Sequence, residues 1–417
     1  MFNFENLISK YSKKLGLDLN YFLKGGFWTS LYLTIDLVLG FLFSIFLIKY
    51  LTSEELGLWY WLLSIFSIGS IFTLTGFNLI SRKLFLEKSY GEYKRLFKTR
   101  FIFSLIGSLI LFISSIHLYI INKPNIAIFF IIIGVLIPFS NNRFYGDYLL
   151  SKRNFKQVSI QAIIKYFSYY ISSIILLLLK VDFIIVFCNF FIVQFLFDLY
   201  FTIKYFFKIN NLEKLKKDKQ TFNKGFQFSI IQILPTISSQ IDKLLIPIFL
   251  TLKDLAIYGI AMIIPNIING INRKLIFSIL FEKINHLKIK DLKLALIKNS
   301  KRIIIIYCIY YLVLTTISII LFKFILKIEN FNSVLIYSEL LLSITFISIF
   351  VEFLKKILES RTEVKSLFKY EIQYNIILII LQIICIYFIG ILGAILSKFL
   401  IECFKLILLY KKVQKIE

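Results

Sequence analysis

Residues 27–50 read FWTSLYLTIDLVLGFLFSIFLIKY, an apolar run with one acid, Asp36, near its middle and one base, Lys49, at its end. At ~1.5 Å per residue a helix of this length reaches about 36 Å, enough to cross the ~30 Å hydrocarbon core of a bilayer. Runs of the same kind recur along the chain. Twelve spans are predicted, at 27–50, 57–80, 101–122, 126–150, 158–179, 183–203, 226–250, 255–280, 303–326, 333–354, 370–388 and 391–411. A mean hydropathy of +0.80, 58% hydrophobic residues and only 5 Pro in 417 agree, because backbone polar groups in lipid must bond within their own segment.

The basic residues orient these spans. Of the 49 Lys and Arg, forty lie in or at the borders of the two tails and alternate gaps, six in or at the borders of the other gaps, and Lys165, Lys243 and Lys398 deeper within spans. The positive-inside rule then puts both termini in the cytoplasm. The net charge of +25 sits directly beside spans, where it meets anionic lipid, so it does not point to nucleic acid. Cys188, Cys308, Cys385 and Cys403 lie singly inside spans and read as small buried hydrophobes rather than disulfide or metal ligands. The chain carries no HExxH, GxSxG, Walker A or GxGxxG pattern and only two histidines, which argues against an enzyme and against ATP as the energy source. Coupling then falls to an ion gradient (H+ or Na+), the membrane potential or removal of product, with no cofactor. His117 reads as a packed core residue, and Trp59 and Trp61 as aromatic-belt residues.

A polar, Lys-rich stretch at 207–224 divides the chain, giving a lead-in at 1–26, a first lobe at 27–206 with six spans, and a second lobe at 225–417 with six more. Across this break the sequence repeats itself. Leu51-Thr-Ser-Glu-Glu-Leu-Gly-Leu-Trp59 and Leu250-Thr-Leu-Lys-Asp-Leu-Ala-Ile-Tyr258 share Leu, Thr, an acid, Leu, a small residue, an apolar one and an aromatic at an offset of 199. Each copy falls on a turn between two long spans, and an even span count per half gives both the same orientation. The expected architecture is all-α, with twelve transmembrane helices in two six-helix lobes related by a pseudo-two-fold along the membrane normal.

Polar residues within spans mark interior faces. Gln232, Thr236, Ser239 and Lys243 recur at helical spacing on one face, with Asp242 about 100° away. Gln161, Lys165, Ser168 and Ser172 repeat the pattern, and Asn266, Asn269 and Arg273 mark a third span. These residues are expected to line a hydrated cavity, with Lys165, Lys243 and Arg273 as cations for an anionic cargo. Asp36 is the most costly acid, lying among apolar neighbours. It is expected to be protonated, paired with a cation such as Lys243, or part of a coupling-ion site, and Asp242 shares the coupling or ion-pair expectation.

The stretch Lys49 to Trp59, followed by Thr75-Gly-Phe-Asn78 and Ser81-Arg-Lys83, resembles the N-terminal signature of polysaccharide repeat-unit flippases of the multidrug/oligosaccharidyl-lipid/polysaccharide (MOP) superfamily. Gln240-Ile-Asp-Lys243 and Ile389-Gly-Ile-Leu-Gly-Ala394 are similar to that family's seventh and twelfth spans. The resemblance implies a MATE-like fold and a flippase that moves an undecaprenyl-diphosphate-linked oligosaccharide, such as an O-antigen or capsule unit, to the outer leaflet by alternating access. Its implied partners are the lipid-linked glycan, membrane lipids, and glycan polymerase and chain-length machinery. Three alternatives compete. A cation-coupled drug exporter would favour an acidic cavity, whereas these stripes carry lysines; a polymerase or ligase would need a large outer loop; a lipid II or teichoic-acid flippase shares the superfamily.

The charge partition makes the topology testable. Single cysteines replacing Glu54 and Lys253 are expected to react with an impermeant thiol reagent on intact cells, and those replacing Lys88, Lys217 and Lys290 only after permeabilisation. Labelling of Lys217→Cys from outside would overturn the two-lobe topology.

Overall fold

The computed structural model describes residues 19–86, 90–140, 144–210, 219–272, 309–328, 330–361 and 364–415. Among these there is no strand. The helices are α1 (Leu19–Tyr50), α2 (Ser53–Gly69), α3 (Asn78–Leu86), α4 (Tyr90–Ile120), α5 (Pro124–Leu136), α6 (Phe144–Ser151), α7 (Phe155–Leu178) and α8 (Phe183–Asn210). They continue as α9 (Lys219–Phe249), α10 (Leu252–Ala261), α11 (Ile263–Ile271), α12 (Ile309–Ile325), α13 (Phe331–Arg361), α14 (Val364–Ile389) and α15 (Ile391–Lys415). Seven are long and apolar enough to cross a membrane, and α10 with α11 makes an eighth if that pair, bent by 43°, is one span. Helix α5 is apolar but shorter, and the described part of α12, Ile309–Ile325, is apolar. Helices α9 and α15 cover the remaining predicted spans; they carry the polar stripe and Pro235 and Pro247 in α9, and Lys398, Glu402 and Lys405 in α15.

Three predicted spans are broken rather than continuous. The run at 57–80 leaves the α-helix at Gly69 and passes through 3-10 turns at Ser70–Thr73 and Thr75–Phe77, on either side of Leu74 at φ +53°. Arg100 of α4 stabilises this break, its Nε donating to the Thr73 carbonyl (2.7 Å) and its Nη1 to Asn78 Oδ1 (2.9 Å). A carbonyl freed by a broken helix at bilayer depth needs such a donor. The run at 126–150 ends as α-helix at Leu136, because Pro138 has no N–H to continue the ladder, and α6 starts afresh at Phe144. The run at 255–280 breaks at Met262, and its part beyond 272 lies outside the described residues.

Both copies of the repeat prove to be helix starts. Thr52 Oγ1 accepts from the Glu55 N–H (3.3 Å), and the Glu55 carboxylate accepts from the Thr52 N–H (2.9 Å). Thr251 and Asp254 make the same reciprocal pair at 3.1 Å in each direction. This capping box satisfies two otherwise orphaned N–H groups and puts an acid at the positive end of the helix dipole.

The two copies also pack on each other. A Cβ on Gly57 would lie 1.9 Å from the Leu252 carbonyl oxygen, and one on Gly259 would lie 2.2 Å from the Tyr60 ring. Glu54 and Lys253 form an exposed ion pair of 3.4 Å. Trp59 is almost completely buried here rather than placed in a belt. His117, three residues from the end of α4, is exposed rather than packed.

The chain forms two compact units, Met1–Phe43 with Phe72–Ser229, and Ser44–Ile71 with Ile230–Glu417. These differ from a simple division into halves, and the close helix contacts supply the reason. In the second unit, the Gly57 contact holds α2 to α10. In the first, the start of α9 is held by Phe77 against Gly225 and by Gly76 against the Ser229 backbone.

A methyl group at Gly57 has nowhere to go, whereas one at Gly26 meets nothing within 4 Å. Gly57→Ala is expected to cost about 1–3 kcal/mol by forcing α2 and α10 apart. Gly26→Ala is expected to be neutral or to stabilise α1 by up to ~1 kcal/mol. Thermal unfolding of the two purified variants in one lipid environment checks the contrast.

Candidate functional site

The second unit encloses a buried charged cluster. Asp242 of α9 is fully buried, and its Oδ2 accepts from Lys398 Nζ of α15 (2.5 Å) and from the Tyr258 hydroxyl of α10 (2.6 Å). Lys398 Nζ also donates to the Tyr258 hydroxyl at 2.9 Å, closing a triangle of three groups from three helices. Asp242 Oδ1 has no partner among the described residues. An ammonium and a carboxylate in contact at this depth cancel each other's charge and spare each the cost of isolated burial.

The first unit contains a second pair. Lys165 Nζ of α7 donates to both carboxylate oxygens of Asp198 on α8, at 2.8 and 2.7 Å, with each side chain mostly buried. Tyr145 donates to the same carboxylate at 3.3 Å. One helical turn away, the amides of Gln157 and Gln161 donate to the Tyr205 hydroxyl at 2.8 and 2.9 Å. Asn189 of α8 donates to Ser172 (2.8 Å) and Ser173 (3.0 Å). The polar stripe of α7 is thus largely engaged by α8.

The stripe on α9 behaves differently. Thr236 and Ser239 donate back to the carbonyls of Gln232 and Thr236, both at 2.8 Å, which satisfies their protons and leaves their oxygens able to accept. Lys243 Nζ donates to Gln240 Oε1 at 3.2 Å and has no ion pair among the described residues. On the opposite face, Ser238 donates to Asn375 Oδ1 of α14 at 2.6 Å. Gln232 and Lys243 are half-buried and Ser239 is exposed.

The remaining predicted residues are dispersed. Asn266 is exposed, and Asn269 accepts from Ser348 at the long distance of 3.5 Å. Arg273 lies outside the described residues. Asp36 accepts from the Tyr170 hydroxyl at 3.5 Å, beside an aromatic group formed by Phe43, Tyr169, Tyr170 and Phe190. It lies in the first unit and Lys243 in the second. Sequence reading passed over Lys398, Tyr258 and Asp198 as partners. One signal pointed to the first of these: Asp242 lies seven residues before the end of α9 and Lys398 seven after the start of α15, which puts both at one depth if the two helix ends share a membrane face.

A family model described as polysaccharide biosynthesis protein matches residues 22–281. No curated protein matches the sequence. Among solved structures, an inward-facing multidrug resistance MATE family transporter of the MOP superfamily is similar with a TM-score of 0.59 at 12% identity, covering 93% of this chain and 98% of that one. An outward-facing MATE family transporter gives a TM-score of 0.55 at 11% identity, over 94% and 96%. A lipid II flippase, MurJ, in an inward closed conformation gives 0.52 at 16% identity, over 93% and 87%. At these identities the likeness establishes the fold.

The triangle on Asp242 predicts a specific double-mutant result. Asp242→Asn or Lys398→Met alone strands one buried charge and is expected to cost about 3–5 kcal/mol. The double substitution removes both charges and is expected to recover most of that loss. Thermal stability and membrane abundance of the two singles and the double measure the coupling; additive losses would show that the two groups do not interact.

Proposed function

This chain belongs to the polysaccharide biosynthesis protein family and is a multi-pass membrane transporter with the MOP-superfamily fold, and from that premise we propose that it flips an undecaprenyl-diphosphate-linked oligosaccharide across the bacterial cytoplasmic membrane. Its cargo on this reading is an O-antigen, capsule or related repeat unit. Both termini are cytoplasmic, transport is coupled to H+ or Na+ or to product removal, and a glycan polymerase takes the product.

One observation carries the assignment: Lys243. Among the described residues, three lysines lie deep within predicted spans, and two of them are neutralised, Lys165 by Asp198 and Lys398 by Asp242. Lys243 has an amide oxygen as its hydrogen-bond partner and no carboxylate at ion-pair distance among the described residues. With Asp242 matched by Lys398, the three charges sum to +1. A cation held in a low-dielectric setting gains from an anionic ligand, and a phosphate oxygen accepts from it by a charge-assisted hydrogen bond. Along the same helix face, Thr236, Ser239 and Gln232 offer neutral oxygens and an amide suited to sugar hydroxyls. An organic cation would meet a net positive charge here, which disfavours the drug-exporter reading. A lipid II or teichoic-acid flippase would use the same diphosphate chemistry.

The distinction between the lysines can be tested directly. Lys243→Gln is expected to reduce glycan export at least about tenfold, the equivalent of losing one charge-assisted hydrogen bond, with unchanged membrane abundance. Lys243→Arg is expected to retain part of the activity. The double variant Lys165→Gln/Asp198→Asn is expected to keep export. Wild-type output from Lys243→Gln would remove this lysine from the transport path.

A further inference from the structure

We propose that Gln240 sets the charge selectivity of the polar face of α9: it gives Lys243 an amide partner at a position where a carboxylate would fit, and so keeps that lysine available to an anionic lipid. The inference rests on the reading of Lys243 above and adds a second residue to it. Gln240 lies three residues before Lys243 and four after Thr236, which places it on the same face of α9. Lys243 Nζ donates to Gln240 Oε1 at 3.2 Å, and Gln240 Nε2 donates to Ser239 Oγ at 3.5 Å. The amide therefore turns its oxygen to the ammonium and its own donors away from it.

A pair on another helix shows what an acid would do at this position. On α15, Lys405 and Glu402 have the same three-residue spacing, and there the ammonium meets a carboxylate oxygen at 2.7 Å with both side chains mostly buried. A lysine on a helix thus reaches the head group of the residue three places earlier. Glutamate and glutamine share length and shape and differ by one charge, so a glutamate at 240 would close the same ion pair with Lys243. Lys165 and Lys398 are each neutralised by an acid on a different helix. Asp242, next to Lys243 in sequence, has its Oδ2 taken by Lys398 and Tyr258.

The difference between the two head groups decides which ligand the face accepts. A carboxylate in contact cancels the ammonium charge, whereas an amide oxygen takes one of its three N–H donors and leaves the charge in place. The remaining donors are those that a phosphate oxygen uses in a charge-assisted hydrogen bond. An amide also limits where the ammonium sits, since its dipole attracts the nitrogen without holding it as tightly as an acid does. Gln240 is on this account a positioning residue: it acts on the ligand through Lys243, and its neutrality matters as much as its contact.

The decisive measurement separates charge from contact. Purified full-length protein in lipid nanodiscs is titrated calorimetrically with farnesyl diphosphate, farnesyl monophosphate and farnesol, and thermal unfolding verifies that each variant is folded. Wild-type protein is expected to prefer the diphosphate over the alcohol. Gln240→Glu is expected to lower that preference at least about tenfold, as for the loss of a charge-assisted hydrogen bond. Gln240→Leu, which removes the amide and adds no charge, is expected to bind the diphosphate more weakly than wild type while still preferring it over farnesol. This second variant keeps the test decisive if the glutamate variant does not fold. Wild-type preference in Gln240→Glu would overturn the inference, and so would loss of the preference in Gln240→Leu, since neutrality would then not be the determinant. Wild-type preference in Lys243→Gln, or none in the unmodified protein, would overturn the reading of Lys243 and this inference with it.

Discussion

A charge at bilayer depth is costly unless matched, and this cost decides the placement of two of the chain's buried acids. Asp242 is held by Lys398 and Tyr258, and Asp198 is held by Lys165 and Tyr145. Each pair ties two helices together: α9 to α15 across 156 residues of sequence, and the consecutive α7 and α8 across 33. In water such pairs contribute little, because solvent competes for both partners. In a membrane the alternative is an unmatched charge, so the pairs act as fixed points that select one packing of the helices over others.

The same accounting governs the neutral polar groups. Ser64, Ser67, Thr236, Ser239 and Ser318 all donate to carbonyls one turn back along their own helix. Such hydroxyls satisfy themselves and need no partner helix. A polar stripe composed of them is compatible with lipid, with water or with a packed interface, and its periodicity alone does not say which. Longer side chains cannot fold back in this way. Gln157, Gln161, Asn189 and Asn375 reach across to neighbouring helices, and their positions report the packing.

This is why the fold was more legible in the sequence than the site. Apolar length and the position of basic residues follow from transfer energies that each segment satisfies alone, so the spans could be placed one at a time. Their breaks at Leu74, Ser140 and Met262 were not visible in the hydropathy, because a long apolar run reads the same with or without a turn in it; Pro138 and Pro265 offered local signs. The α7 stripe of Gln161, Lys165, Ser168 and Ser172 and the α9 stripe of Gln232, Thr236, Ser239 and Lys243 look alike in sequence. They differ because α8 carries Asp198, Asn189 and Tyr205 at matching depths, information that belongs to another helix. Depth matching between acids and lysines was the available signal, and it would have brought Lys398 to Asp242.

The repeat shows how a duplicated segment comes to bind its own copy. With an offset of 199, Glu54 is equivalent to Lys253 and Tyr60 to Gly259, and both equivalent pairs are in contact. A contact between equivalent positions lies on a local two-fold axis, where identical residues would meet themselves. Two glutamates would repel there and two tyrosines would collide. The chain has one acid facing one base, and one large ring filling the space left by a residue without a side chain. The capping boxes at Thr52 and Thr251 stay alike because each serves its own helix, and the facing residues differ because each serves the other copy. Sequence similarity between the repeats is therefore retained where the physics is local and lost where the copies touch, which accounts for a repeat short enough to be overlooked lying at a contact this close.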